Sequence, residues 1–167
     1  MKRLVAVAAI AMFVAIWATS ASALNGPKVF SVLDVSSNIE QPMGSFTFEQ
    51  PPVGGDQFAF NDTLYRWSGA KQGRRIGHLQ GVGTFVTGFG ARFANRATVL
   101  FTVQAYLPGG TLMIEGYGRV NPRGPSKFTF PVIGGTGIYA NARGQVGVRD
   151  LGNGGTNKTN VTFHLLP

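Results

Sequence analysis

Apolar side chains in this chain recur at every second position. Across Ala97 to Leu107, Val99, Phe101, Val103 and Ala105 share one face, while Leu100, Thr102, Gln104 and Tyr106 share the other. A helix would need apolar residues at i, i+3, i+4 and i+7, and Thr102 and Gln104 interrupt that series, so the segment predicts a strand. The same alternation pairs Phe46 with Phe48, Phe58 with Phe60 and Phe128 with Phe130, and it aligns Val161, Phe163 and Leu165. Between these stretches lie turn formers: Gln41-Pro42, Pro51-Pro52-Val53-Gly54-Gly55-Asp56, Pro108-Gly109-Gly110, Asn121-Pro122-Arg123-Gly124-Pro125 and Gly152-Asn153-Gly154-Gly155. The pattern predicts strands over 29–35, 44–49, 57–66, 73–87, 97–107, 111–119, 127–133, 142–150 and 160–166. About eight or nine closely spaced strands and no helix indicate an all-β antiparallel barrel or sandwich. Closure into a barrel is favoured because the strands are long and lack charged or proline-blunted edges.

Several glycines fall inside predicted strands, among them Gly77, Gly81, Gly83, Gly116, Gly118, Gly144 and Gly147. In an ordinary strand they weaken pairing; in a small barrel they relieve crowding where the sheet coils. A loop-rich, poorly ordered chain is the other explanation, and 13 phenylalanines argue against it.

The N-terminus follows different rules. Lys2 and Arg3 precede an uninterrupted apolar run from Leu4 to Trp17, and Ala21-Ser22-Ala23 offers a small-x-small cleavage site. The run is about a dozen residues, short of the roughly 20 a spanning helix needs. It therefore predicts a signal peptide over 1–23 and a single domain over 24–167, about 144 residues long. Nothing after Leu24 is long or apolar enough to span a membrane as a helix, so the mature protein is expected outside the cytosol: in the apoplast of a plant, or in the periplasm or medium of a bacterium.

Loss of the leader lowers the formal net charge from +8 to +6. The remaining basic residues are scattered, with Arg74-Arg75 the one doublet, and no aromatic-interleaved basic stripe suggests nucleic-acid binding. There is no cysteine, which excludes disulfides, thiol catalysis and thiolate metal sites. His78 and His164 lie far apart without metal-ligand spacing. No phosphate-binding loop or nucleophile elbow is present, so neither a metal nor an organic cofactor is expected. Asn61-Asp62-Thr63, Asn157-Lys158-Thr159 and Asn160-Val161-Thr162 are N-glycosylation sequons, meaningful only in a eukaryote.

Among seven acidic residues, Asp34 and Glu115 stand within apolar strands. Facing a barrel interior, either would have a raised pKa and could act as a general acid or base; the other reading is that each points to solvent or pairs with an arginine. Tyr117 and Arg119 share Glu115's face by alternation, and Tyr106 lies on the preceding strand. With Phe101 they form the candidate ligand-binding set.

Val132-Ile133-Gly134-Gly135-Thr136-Gly137-Ile138-Tyr139-Ala140-Asn141-Ala142-Arg143-Gly144 resembles the strand-turn-strand signature of dirigent proteins and allene oxide cyclases, closest to the dirigent form. Gly55 to Tyr65, with Gly73-Arg74-Arg75-Ile76-Gly77 and Gly81-Val82-Gly83, resembles the cyclase form; Gly110 to Gly116 resembles the preceding strand in both. The resemblance spans nearly the whole mature chain and implies an eight-stranded antiparallel β-barrel with a hydrophobic cavity, assembled as a homo-oligomer, dimer or trimer. Dirigent proteins hold phenoxy radicals supplied by a separate oxidase and steer their coupling without oxidising them. The resemblance thus implies a small hydrophobic or phenolic ligand. The dirigent Gly-Arg-Asp-Pro becomes Gly118-Arg119-Val120-Asn121-Pro122, with no acid, and of the first-strand Tyr-x-His-Asp pattern only Asp34 is kept. Against the cyclase pattern, Asp34 stands near the first-strand Glu, Ser36 near its Asn, Gly83 replaces the cavity Cys, and the loop Tyr is lost around Gly109. Stereochemical steering is the reading these residues favour; a cyclase or isomerase, or a non-catalytic ligand-binding barrel, are the alternatives.

Overall fold

The computed structural model describes residues 28–36, 41–44, 47, 49–69, 71–90, 95–121, 125–151 and 157–167. Its strands are β1 (Lys28–Val35), β2 (Gln41–Met43), β3 (Gln57–Trp67), β4 (Gln72–Thr87), β5 (Ala97–Leu107), β6 (Gly110–Val120), β7 (Lys127–Gly135), β8 (Arg143–Asp150) and β9 (Lys158–Leu166), with one 3₁₀ turn at Gly137–Tyr139. Every pairing is antiparallel, in the order β1-β9-β8-β7-β6-β5-β4-β3, and β1 also pairs with β3. Eight strands therefore close into a barrel, and β2 lies outside it as a short addition to β3.

Eight of the predicted strands agree with the observed ones to within two residues at each end. The ninth does not: Gly44 is in a turn, and β2 occupies Gln41–Met43, where a turn was expected. Pro42 is accommodated because β2 is an edge strand pairing on one side only. Phe46 and Phe48 fall outside the described residues, as does the segment read as a signal peptide. Among the described residues no helix is long and apolar enough to cross a membrane.

The two ends of the barrel differ. At the end holding the β5–β6 and β7–β8 connections, Leu107, Leu112, Tyr139, Phe163 and Leu165 are buried in one continuous core with Leu64 and Ala142. The 3₁₀ turn caps this end. Ile138 donates its backbone N–H to the Gly109 carbonyl at 2.9 Å, Thr111 donates its N–H to Thr136 Oγ1 at 3.1 Å, and the Tyr139 ring packs 6.5 Å from that of Phe30. The connection 136–142 at the centre of the signature segment is thus a plug that seals one end of the barrel.

Towards the opposite end the interior is lined by phenylalanine. Phe58, Phe60, Phe101, Phe128 and Phe130 form a chain of ring contacts with centroids 5.6–6.3 Å apart. The in-strand glycines make room for them. A Cβ at Gly118 would lie 2.8 Å from Phe128 Cδ1 and 2.9 Å from Phe101 Cε2, and one at Gly83 would collide with the Phe58 ring. The rings occupy the space that a Cβ would take, so large side chains coexist with a hollow in a barrel of a size usually filled.

Gly118→Ala is expected to destabilise the protein by about 1–3 kcal/mol by overpacking these rings. Phe163→Ala, on β9 at the fully buried sealed end, is expected to cost about 3–5 kcal/mol. Both are read from the denaturant midpoint at unchanged slope.

Candidate functional site

The hollow has a volume of about 380 Å³, within the range of small-molecule sites. Its wall is mostly apolar: the phenylalanines just named, with Phe85, Phe89, Leu79, Val103, Ile114, Val146 and Val161. Ser36, Pro52, Val120 and Ser126 place it at the end away from the plug, where β1, β4, β6 and β8 finish.

Three carboxylic acids interrupt this apolar wall on one side. Asp34 on β1, Asp62 on β3 and Asp150 on β8 all line the cavity. Strand register places them together. Asp34 is paired with Thr159 on β9, which is paired in turn with Asp150, so the three form one row across adjacent strands. Asp34 is also paired with Leu64 on β3, and Asp62 lies one inward-facing position along β3 from Leu64.

The local chemistry of these acids differs. Asp150 accepts a 2.6 Å hydrogen bond from the backbone N–H of Ser126 and one of 3.2 Å from the Thr159 hydroxyl. Asp34 is only 7% exposed, and its Oδ1 is buried without a hydrogen-bond partner. Burial raises its pKa to about 8, with the charges of Asp62 and Asp150 adding to the effect. At neutral pH Asp34 is therefore a neutral carboxylic acid: a hydrogen-bond donor set in an aromatic wall. Among the described residues no group of three or more His, Cys, Asp or Glu side chains is disposed to hold a metal ion.

The sequence-derived candidates separate cleanly. Asp34 and Phe101 line the cavity. Glu115, Tyr117 and Arg119 do not: all three are exposed, Tyr117 to 66%, on the outer face of β6. Strand phase explains the difference, because Leu112, Ile114 and Val120 take the inward positions, with Gly116 and Gly118 between them. Tyr106 is also on the outside, stacked on His78 at 4.4 Å and donating to Gln104 Oε1 at 2.6 Å. Asp62 and Asp150 were not singled out from the sequence, yet alternation marks them: Asp62 continues the inward series Phe58, Phe60, and Asp150 follows Val146 and Val148.

Residues 25–165 match the family of dirigent-like proteins. No protein of curated function matches the chain. Among solved structures, the barrel is similar to a pyocyanin demethylase (TM-score 0.62, 18% identity, covering 83% of this chain and 99% of that one). It is similar to an exo-specific intermolecular Diels-Alderase (TM-score 0.60, 15% identity, 84% and 98% covered) and to a pterocarpan synthase dirigent protein (TM-score 0.57, 15% identity, 83% and 86% covered). At these identities the likeness is one of fold.

The raised pKa of Asp34 sets a direction for stability against pH. Between about pH 4 and pH 8 the unfolded carboxyl is ionised while the folded one keeps its proton. The native state then binds more protons, so this group's contribution is greatest below pH 4 and is lost as pH climbs to about 8, by up to about 1.4 kcal/mol per pH unit. Asp34→Asn should remove that slope. The stability of the variant relative to the parent is expected to rise from pH 4 to pH 8 and then level off, measured by denaturant unfolding across pH.

Proposed function

The chain belongs to the dirigent-like protein family, and from that premise we propose that its barrel binds one small, largely apolar or phenolic molecule and fixes the geometry in which it forms a new bond. The carrying observation is the phenylalanine-lined cavity with a single protonated acid in its wall. Aromatic walls hold a flat ring by stacking and by excluding water. The Asp34 carboxyl, donating at neutral pH, anchors an oxygen function and so selects one orientation of the ring. Restricting two reacting groups to one approach lowers the entropic cost of that geometry, and this alone gives stereochemical bias.

In this reading the protein oxidises nothing: a separate oxidase supplies the radicals, and they couple inside the cavity. The leader pattern of residues 1–23 supports export, and in this reading the barrel acts outside the cytosol as a homo-oligomer. The names of its structural relatives include cyclising enzymes, and one observation favours a second reading. A buried carboxyl titrating near 8 is matched to proton donation at neutral pH, as a general acid for ring closure requires.

The two readings separate by rate. A steering barrel mixed with an oxidase and a phenol such as coniferyl alcohol shifts the enantiomer ratio of the dimer and leaves the rate of phenol consumption unchanged. Phe101→Ala should return that ratio to racemic while the barrel stays folded, as judged by circular dichroism. An acid-catalysing cyclase accelerates its reaction with no oxidase, and Asp34→Asn lowers kcat by about 10²–10⁴-fold. Racemic product with the parent protein, together with no bound aromatic by calorimetry, would sink both. N-terminal sequencing of exported protein is expected to begin near Leu24.

A further inference from the structure

Basic residues that are scattered along the sequence gather at the sealed end. Lys28 opens β1, Arg66 and Lys71 stand at and just after the end of β3, Arg74 and Arg75 are among the first residues of β4, and Arg143 opens β8. All six are exposed, and among the described residues none of their side chains is in an ion pair. Acids are missing from the same end. The segments that build it, 28–31, 65–76, 104–113, 133–146 and 162–166, contain no Asp or Glu, and residues 24–27 ahead of them are uncharged. A carboxylate on Pro167 offsets only one of the cations. The other half of the barrel also carries lysine and arginine, but there they are mixed with acids: Lys127 and Arg149 stand opposite each other, and Asp150 follows.

Most of the charge sits on the β3–β4 hairpin, which outruns its neighbours. β4 pairs with β5 only from His78 opposite Tyr106, and β3 pairs with β1 only as far as Arg66 opposite Val32, while Trp67 and Gln72 still pair with each other. The described residues of 67–75 therefore pair only within the hairpin, as a two-stranded finger that carries Lys71, Arg74 and Arg75, with half-buried Trp67 at its base. Apolar side chains face solvent at the same end. Val29, next to Lys28, is 65% exposed, Leu166, in register with Arg143, is 57% exposed, and Ile138 on the 3₁₀ turn is 45% exposed.

We propose that the sealed end, led by this finger, docks on an anionic lipid surface, lying on the bilayer without crossing it. A dissolved acidic polymer would engage the cations alone and leave Val29, Ile138 and Leu166 in water. A lipid surface satisfies both sets: phosphate headgroups take the arginines and lysines, and the boundary with the acyl chains takes the apolar groups and the Trp67 ring. The cavity mouth is at the opposite end, so docking turns it towards solvent. The inference stands apart from the proposed function, since it holds whatever the cavity binds.

The sequence supplies its own reporter. Its two tryptophans are Trp17 and Trp67, so removal of residues 1–23 leaves Trp67 alone. The purified exported protein is mixed with vesicles of phosphatidylcholine alone or of phosphatidylcholine and phosphatidylglycerol in equal parts, and binding is read by sedimentation and by tryptophan emission. Affinity for the anionic vesicles is expected to exceed that for the neutral ones by about tenfold or more. Trp67 emission should shift to the blue on binding, and the protein should be released at about 1 M salt, where screening acts within about 3 Å. Each surface cation is worth about fivefold in partitioning, so Arg74→Gln with Arg75→Gln should weaken binding by about tenfold or more at unchanged circular dichroism. Lys127→Gln with Arg149→Gln removes the same charge from the other half and should change binding by less than about twofold. No binding, equal binding to both kinds of vesicle, unmoved Trp67 emission, or equal weakening by the two double variants overturns the proposal. Retention on polygalacturonate without affinity for vesicles overturns it too, and makes the partner an acidic polymer.

Discussion

Everything in this barrel depends on β1 pairing on both its edges. Its ladder to β9 runs its full length, and its ladder to β3, from Val32 opposite Arg66 to Val35 opposite Thr63, joins the first strand of the sheet to its neighbour across the seam. Without that second ladder the strands would form an open sheet, with two exposed edges and one apolar face uncovered. With it, inward side chains share one interior and the row of acids comes together, since Asp34 sits on the closing strand and takes its partners from both sides of the seam. The seam is therefore both the topological closure and the place where polar groups meet an apolar cavity.

Closure alone would give a filled barrel. Eight strands leave an interior about wide enough for side chains; here β4 and β6 remove their own at Gly81, Gly83, Gly116 and Gly118, and the rings of Phe58, Phe60, Phe101, Phe128 and Phe130 settle into the space against the backbone. The result is a wall thick with aromatic carbon at little cost in radius. At the other end the glycines around the 3₁₀ turn serve the opposite purpose, letting strand connections pack directly on one another and seal the floor. One residue type thus opens one half of the molecule and closes the other.

Much of this was legible in the sequence. Period-2 phenylalanines located nearly every strand because each is half-buried against the same interior, and the aromatic content excluded a disordered chain. The misplaced element, β2, was obscured because Pro42 reads as a turn when its strand pairs on one side only. Phase in β6 was the costlier loss. Its inward positions include Gly116 and Gly118, which carry no side chain to reveal which way they face, so Glu115, Tyr117 and Arg119 looked like the occupied face of the strand. Asp62 and Asp150 were concealed for another reason: alternation places them inward, but nothing local tells that four strands will bring them to one side of a single cavity. That convergence is a property of register around the seam, which no single segment encodes.

The sealed floor has a consequence for traffic. A cavity stopped at one end by Leu112, Tyr139, Phe163 and Leu165 has no through-route, so whatever enters at the rim must leave by the rim. Under the proposed steering function, two reactants would load in sequence, the first occupying the depth and the second meeting only its outward face. The handedness of a joined product would then be decided by how the earlier arrival lies, before the later one is admitted.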